Sequence, residues 1–184
     1  MKHVIKPACS LFLIAAITTA LLGFVYAFTL EPIAVQHREA QERTMRAILT
    51  QATDFRELST EISGSITRVF EALRGGETIG YIVELAPPGY SGPINMMVGI
   101  SSADNTIAGM RVLRHTETPG LGSHIVRESF FSRFDGRGLS PIRVVRASPG
   151  PDEIEAITSA TITTRAVAYA VNEAIEWYRG RASR

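Results

Sequence analysis

From residue 7 to residue 30 the chain reads PACSLFLIAAITTALLGFVYAFTL, 24 residues without one charged side chain. No other feature limits the possible folds so strongly. As a helix this run would be about 36 Å long, at about 1.5 Å per residue. The hydrocarbon core of a bilayer is about 30 Å thick and is crossed by about 20 apolar residues. A membrane span over residues 8–30 is therefore expected, after a short tail at 1–7. A cleaved signal peptide is the competing reading, with Lys2 and Lys6 as its basic end and Val25-Tyr26-Ala27 as its cleavage site. Signal-peptide apolar regions run to about 7–15 residues, and this one is longer, which favours a retained anchor. Charge does not orient the span, because Lys2 and Lys6 precede it while Arg38, Arg43 and Arg46 follow closely.

Beyond residue 30 the chain has 17 arginines, no lysine and 18 acidic residues, for a net charge of −1. That balance offers no surface for a polyanion, so nucleic acid is not an expected partner. The only cysteine, Cys9, lies in the apolar run. The outer part therefore has no disulfide, no iron–sulfur ligands and no thiol nucleophile, whatever its compartment.

Residues 31–50 are charged and helix-forming, with Ile33, His37, Met45, Ile48 and Leu49 loosely on one face. They are expected to extend the membrane helix as a stalk, taken as residues 31–60, before a domain at 61–184. Residues 66–73 and 78–85 flank Arg74-Gly75-Gly76-Glu77, a hairpin signal. A second hairpin is expected from 94–101 and 106–113 around Asp104-Asn105. Residues 86–93 and 115–124 read as loops rich in proline and glycine. The spacing predicts a short helix over 125–134 and short strands at 142–145 and 154–157. A long helix is expected over 161–178, with Val167, Ala170, Val171, Ala174, Ile175 and Tyr178 on one face and Gly180 as its stop. The fold class is α+β: a single N-terminal transmembrane helix, then a mostly antiparallel sheet with covering helices.

The histidines hold no metal-ligand spacing: His115, Glu117 and His124 share a loop but lack a third strong ligand. No metal site is expected. A GxSxG elbow is also missing, which removes the serine-hydrolase reading. Glu117-Thr118-Pro119-Gly120-Leu121-Gly122 would let a backbone approach something flat, although composition alone favours a tight surface loop. Residues 154–166, IEAITSATITTRA, crowd five hydroxyls just ahead of the long helix. Thr161 would sit at the helix start, where unpaired N–H groups and a partial positive charge draw anions, with Arg165 one turn on. A phosphate site and a plain hydroxyl cap fit those residues equally well.

Three features together resemble a known family. Glu155-Ala156-Ile157-Thr158-Ser159-Ala160-Thr161-Ile162-Thr163 is similar to a motif of the form Asp-x-x-[Ser/Thr]-Gly-Ala-Thr-x-[Ser/Thr]. A Gly-Tyr-Ser-Gly-Pro-Ile loop at 89–94 precedes the Glu-Thr-Pro-Gly-Leu-Gly loop at 117–122, and one N-terminal span precedes both. This pattern resembles the FMN-binding domain of the G subunit of the Rnf electron transport complex, related to the C subunit of the sodium-translocating NADH:quinone oxidoreductase.

The resemblance implies FMN joined by a flavin transferase, through its phosphate, to Thr161. It implies further cofactor contacts at Thr158, Ser159, Ala160, Thr163 and Arg165, in the loop residues Glu117, Thr118, Gly120, Leu121 and Gly122, and at Tyr90 and Ser91. Two positions depart from the motif: Ser159 stands for the usual glycine and Glu155 for the usual aspartate.

The implied function is a membrane-anchored flavoprotein that relays electrons in an Rnf-type complex coupling NADH and ferredoxin chemistry to ion transport. Its implied partners are the A, D and E membrane subunits of that complex, its B and C redox subunits, and the transferase. The tail at 1–7 would be cytoplasmic and the flavin domain periplasmic, on the bacterial inner membrane. The chain holds no complete active site and no catalytic residue of its own. The rivals are a flavinylated subunit of a related quinone reductase and a flavin-free anchored scaffold or sensor, which Ser159 would favour.

Overall fold

The computed structural model of the chain describes residues 2–59 and 63–182. The expected stalk–domain boundary at 60/61 lies outside the described residues, as do the side chains of Ile33 and His37. Helix α1 is Lys2–Ile48. Within it, Ile5–Tyr26 is long and apolar enough to cross a membrane. The chain divides into two compact units, Met1–Arg43 and Thr44–Arg184. The second unit carries everything that follows.

Five antiparallel strands form its sheet in sequence order: β1 (Asp54–Glu57), β2 (Ile66–Arg74), β3 (Glu77–Leu85), β4 (Asn95–Ser101) and β5 (Thr106–Arg114). Both expected hairpins are present. Gly75 and Gly76 take φ of 60° and 90° at the first turn, and Asn105 takes 51° at the second. Asparagine and glycine accept that left-handed geometry at low cost, which is why these residues stand there. Residues 54–57, expected within the helical stalk, instead pair with β2 through Asp54↔Leu73 to Glu57↔Phe70.

Alternation along the strands makes two apolar faces. Val69, Val83, Val98 and Met110 lie side by side across β2–β5, all fully buried. They pack with the apolar stripe of α3 (Thr161–Ala182): Val167, Ala170, Val171, Ala174, Ile175 and Tyr178. The next row, Phe70, Ile82 and Gly99, faces the other way. There Met45, Ile48, Leu49 and Ala52 cover it with Phe70, Ala72, Ile82 and Met97 in a second core. A Cβ at Gly99 would fall well inside contact distance of Ile48 Cγ2, so glycine admits the helix end. The last turn of α1 is core, not stalk.

The expected helix at 125–134 is broken into a 3-10 turn at Gly122–Val126, a single turn α2 (Glu128–Phe131) and another 3-10 turn at Ser132–Phe134. Arg127, extended at φ −78° and ψ 142°, makes the break. Strands β6 (Arg143–Val145) and β7 (Glu153–Glu155) pair in parallel as a separate ribbon. Asn172 of α3 holds the residue before β6, accepting from the Ile142 N–H at 2.7 Å and donating to its carbonyl at 2.9 Å. Helix α3 does not stop at Gly180; it runs on to Ala182. Arg181, stacked over the Tyr81 and Trp177 rings, secures that final turn against a glycine cost of about 1 kcal/mol.

Candidate functional site

The segment between β7 and α3 is a tight turn. The Ala160 N–H donates to the Ile157 carbonyl at 2.9 Å, and Ser159 is left-handed at φ 64°. That backbone is cheap for glycine and costs an L side chain roughly 1–2 kcal/mol. Serine therefore keeps the conformation that a glycine would adopt there. Thr164, fully buried, fastens the turn to the helix: its hydroxyl accepts from the Ile157 N–H at 3.1 Å and donates to the Ala160 carbonyl at 3.0 Å. The first helical bond runs from the Thr164 N–H to Ala160 O. Alanine at 160 has no side-chain acceptor to cap the N–H groups of Thr161, Ile162 and Thr163.

Thr163 is buried and donates its hydroxyl to Glu117 Oε2. The other carboxylate oxygen accepts from the Ser91 N–H at 2.9 Å. Glu117 is 4 % exposed, and its own N–H reaches His115 Nδ1 at 3.2 Å. Two loops and the first turn of α3 thus meet at one side chain. Between them lies a cleft of about 510 Å³, within the usual range of roughly 300–1,000 Å³ for small-molecule sites.

Its wall from α3 and the preceding turn is Ser159 to Thr163; its loop lining is Glu117, Thr118, Leu121 and Gly122, together with Tyr90. Tyr90, Leu121 and Ile162 are exposed apolar side chains at its mouth. Of the residues expected to contact a cofactor, Thr158, Arg165, Gly120 and Ser91 do not line the cleft. Gly120, left-handed at φ 77°, shapes the loop and donates its N–H to Ser123 Oγ at 2.9 Å. Arg165 is exposed. Ile162 is a lining residue that the sequence did not single out; like Tyr169 it is an exposed apolar side chain of α3, off the buried stripe. Among the described residues, no three His, Cys, Asp or Glu side chains gather as a metal-ligand set.

The fold has known counterparts. The crystal structure of Shewanella oneidensis NqrC superposes with a TM-score of 0.52 at 23 % identity, covering 67 % of this chain and 65 % of that one, just under two thirds. Over its whole length the chain has nearer relatives. The G subunit of the ion-translocating oxidoreductase complex of Methanosarcina acetivorans is 32 % identical over 181 residues, 96 % of this chain and 95 % of the relative. The chain belongs to the family of G subunits of ion-translocating oxidoreductase complexes. Another family relative, the G subunit of the proton-translocating ferredoxin:NAD(+) oxidoreductase complex of Clostridium ljungdahlii, is 31 % identical over 87 % of this chain and 83 % of its own. Two family models match within the chain: the RnfG N-terminal region over residues 1–48 and the FMN-binding domain over residues 89–176.

The second match includes both loops and all of the cleft wall on α3. The cleft suits FMN chemically. One end has threonine hydroxyls and the free N–H groups of a helix start, where a phosphate is favoured. The mouth has the apolar surface that an isoalloxazine needs. The chain thus has an FMN-binding domain and, at Ile5–Tyr26, an apolar helix that fits the membrane anchor of such a complex.

Proposed function

We propose that the chain is the electron-relaying flavoprotein subunit of an Rnf-type complex, with FMN held by a phosphoester to Thr161. The position of Thr161 carries this reading. It is the first residue of α3 and lines the cleft. A phosphoester there would direct its oxygens toward N–H groups that precede the first helical bond. The diester would keep one negative charge, which the α3 N-terminus favours.

FMN when bound supplies reversible electron uptake, and the protein tunes it by contact. Thr161 anchors the group away from the ring. Leu121, Tyr90 and Ile162 would offer the isoalloxazine apolar surface while themselves staying exposed. Thr118 lines the loop wall between them. The anchor at Ile5–Tyr26 keeps the domain beside the membrane subunits of the complex. Residues 1–7 lie in the cytoplasm in this scheme and the domain lies in the periplasm, where a flavin transferase loads it. Electrons enter and leave through the other Rnf subunits.

The test is covalent labelling. The full chain, expressed with a flavin transferase and run on a denaturing gel, is expected to fluoresce, and Thr161→Ala is expected to be dark. A dark wild-type band sinks the phosphoester; a bright Thr161→Ala band moves it to another hydroxyl.

A further inference from the structure

Two glycines of the cleft loops, Gly89 and Gly122, lie against the same buried side chain. A Cβ at Gly89 would lie 2.5 Å from Glu117 Oε1. At Gly122 it would lie 2.6 Å from Glu117 Oε2 and 2.9 Å from Thr163 Oγ1. Both positions abut one buried carboxylate, and at Gly89 the Gly92 carbonyl at 2.8 Å and Ile94 Cδ1 at 2.9 Å crowd the same space. Burying a carboxylate is costly unless each oxygen is satisfied. Here the two oxygens take donors from different segments, 26 and 46 residues away in sequence. The second donor, Thr163, sits in the first turn of α3, where the helix dipole further favours a negative charge.

We infer that Glu117 is the positioning residue of the flavin cleft: it clamps the 89–93 loop and the first turn of α3 to the 117–122 loop. Each clamped segment carries one apolar residue of the mouth, Tyr90, Leu121 or Ile162. Thr163 lies two residues after Thr161, so pinning its hydroxyl fixes the rotation of the turn that presents Thr161. Glu117 thereby sets both the width of the cleft and the aim of the acceptor hydroxyl. The second of these roles rests on the phosphoester proposed above; the first does not.

Two measurements on the full-length chain test the clamp. In chain made without flavin transferase, amide hydrogen exchange at Ser91 is expected to rise at least tenfold in Glu117→Ala and in Thr163→Val, with the amides of β3 and β4 unchanged. Thr163→Ser, which keeps the hydroxyl, is expected to match wild type. In chain made with the transferase, flavin fluorescence per polypeptide is expected to fall at least fivefold in the first two variants and to be restored in Thr163→Ser. Unchanged Ser91 exchange in Thr163→Val, which is isosteric and spares the carboxylate, overturns the clamp. Faster exchange with wild-type flavin loading overturns the role toward Thr161. Should Glu117→Ala unfold, the Thr163 pair decides alone. A dark wild type removes the phosphoester, while the exchange arm still decides the clamp.

Discussion

The sheet is met by a helix end on each face, and the two junctions use the same device for opposite purposes. On one face Gly99 leaves space for Ile48, while a Cβ at Gly80 would meet the Ile100 carbonyl before Leu49 Cδ1 at 3.1 Å. On the cleft side Gly89 and Gly122 leave space for Glu117. At Gly99 the neighbour is a methyl group, so that junction is non-directional and its strength scales with buried area. The second pair admits a carboxylate, so the junction is directional and depends on two specific donors. An apolar junction can tolerate small shifts; a carboxylate with its donors holds a geometry. The glycines of the methyl junction therefore serve stability, and those of the carboxylate junction serve placement.

Removing the apolar junction altogether is the largest break. A chain beginning at residue 44 is expected to fold and stay monomeric, whereas one beginning at 54 would expose Phe70, Ile82 and Met97 and aggregate. Gel filtration with circular dichroism reads this, and a well-folded 54–184 chain would mean that the second core is dispensable.

Next, Ile48→Ala empties that core and should cost about 2–4 kcal/mol by chemical denaturation. Gly99→Ala should cost about 1–3 kcal/mol through overpacking. Because the two groups occupy the same space, the double variant should cost less than the sum, by at least about 0.5 kcal/mol. Strict additivity would mean that Gly99 is not small on behalf of Ile48. None of these three variants should lower flavin loading in the fraction that folds, in contrast to the Glu117 and Thr163 variants.

A smaller effect belongs to the left-handed turn. Ser159→Gly relieves roughly 1–2 kcal/mol of backbone strain but adds unfolded-chain entropy, for a net gain of about 0.5–1 kcal/mol. A loss of stability in that variant would show that the serine side chain contributes something beyond its backbone.

The smallest effect is on pH. The Thr78 hydroxyl, and then the Arg56 guanidinium, hold the Glu71 carboxyl below its ordinary value of 4.5. A lowered folded value means stability that is present above the unfolded value and lost as pH falls through the folded one. Melting temperature measured from pH 6 to pH 3 should therefore fall less steeply in Glu71→Gln than in wild type.

Much of the architecture was legible because local chemistry and tertiary need agreed. Gly75-Gly76 and Asp104-Asn105 marked turns between strands of period two, and the α3 stripe from Val167 to Tyr178 carried the helical period. Strand β1 was not legible: four residues, Asp54 to Glu57, mostly exposed at a sheet edge, have no apolar alternation to read. The covering role of Ile48 and Leu49 was hidden for another reason, since a stalk and a docked helix end share one amphipathic spacing. Gly180 misled because its cost is local, whereas the Arg181 stacking that outweighs it depends on Tyr81, a hundred residues earlier.

In the cleft, family resemblance brought Thr161, Ser159 and the 117–122 loop together before the structure did. The hydrogen bonds of Glu117 were beyond reach, because both partners are remote in sequence and neither is charged. Arg165 has the charge and the one-turn spacing of a phosphate partner, but it is exposed and lies off the cleft wall.

The order of strands in the sheet also sets a timetable. Every neighbour in the meander is the next strand in sequence, so β1 to β5 can pair as the chain is synthesised. Helix α3 follows all of them and emerges last, bringing Thr161 and the hydroxyl that Glu117 awaits. Under the phosphoester proposed above, a chain cut before Thr161 would present no acceptor, so loading would wait until synthesis had reached α3.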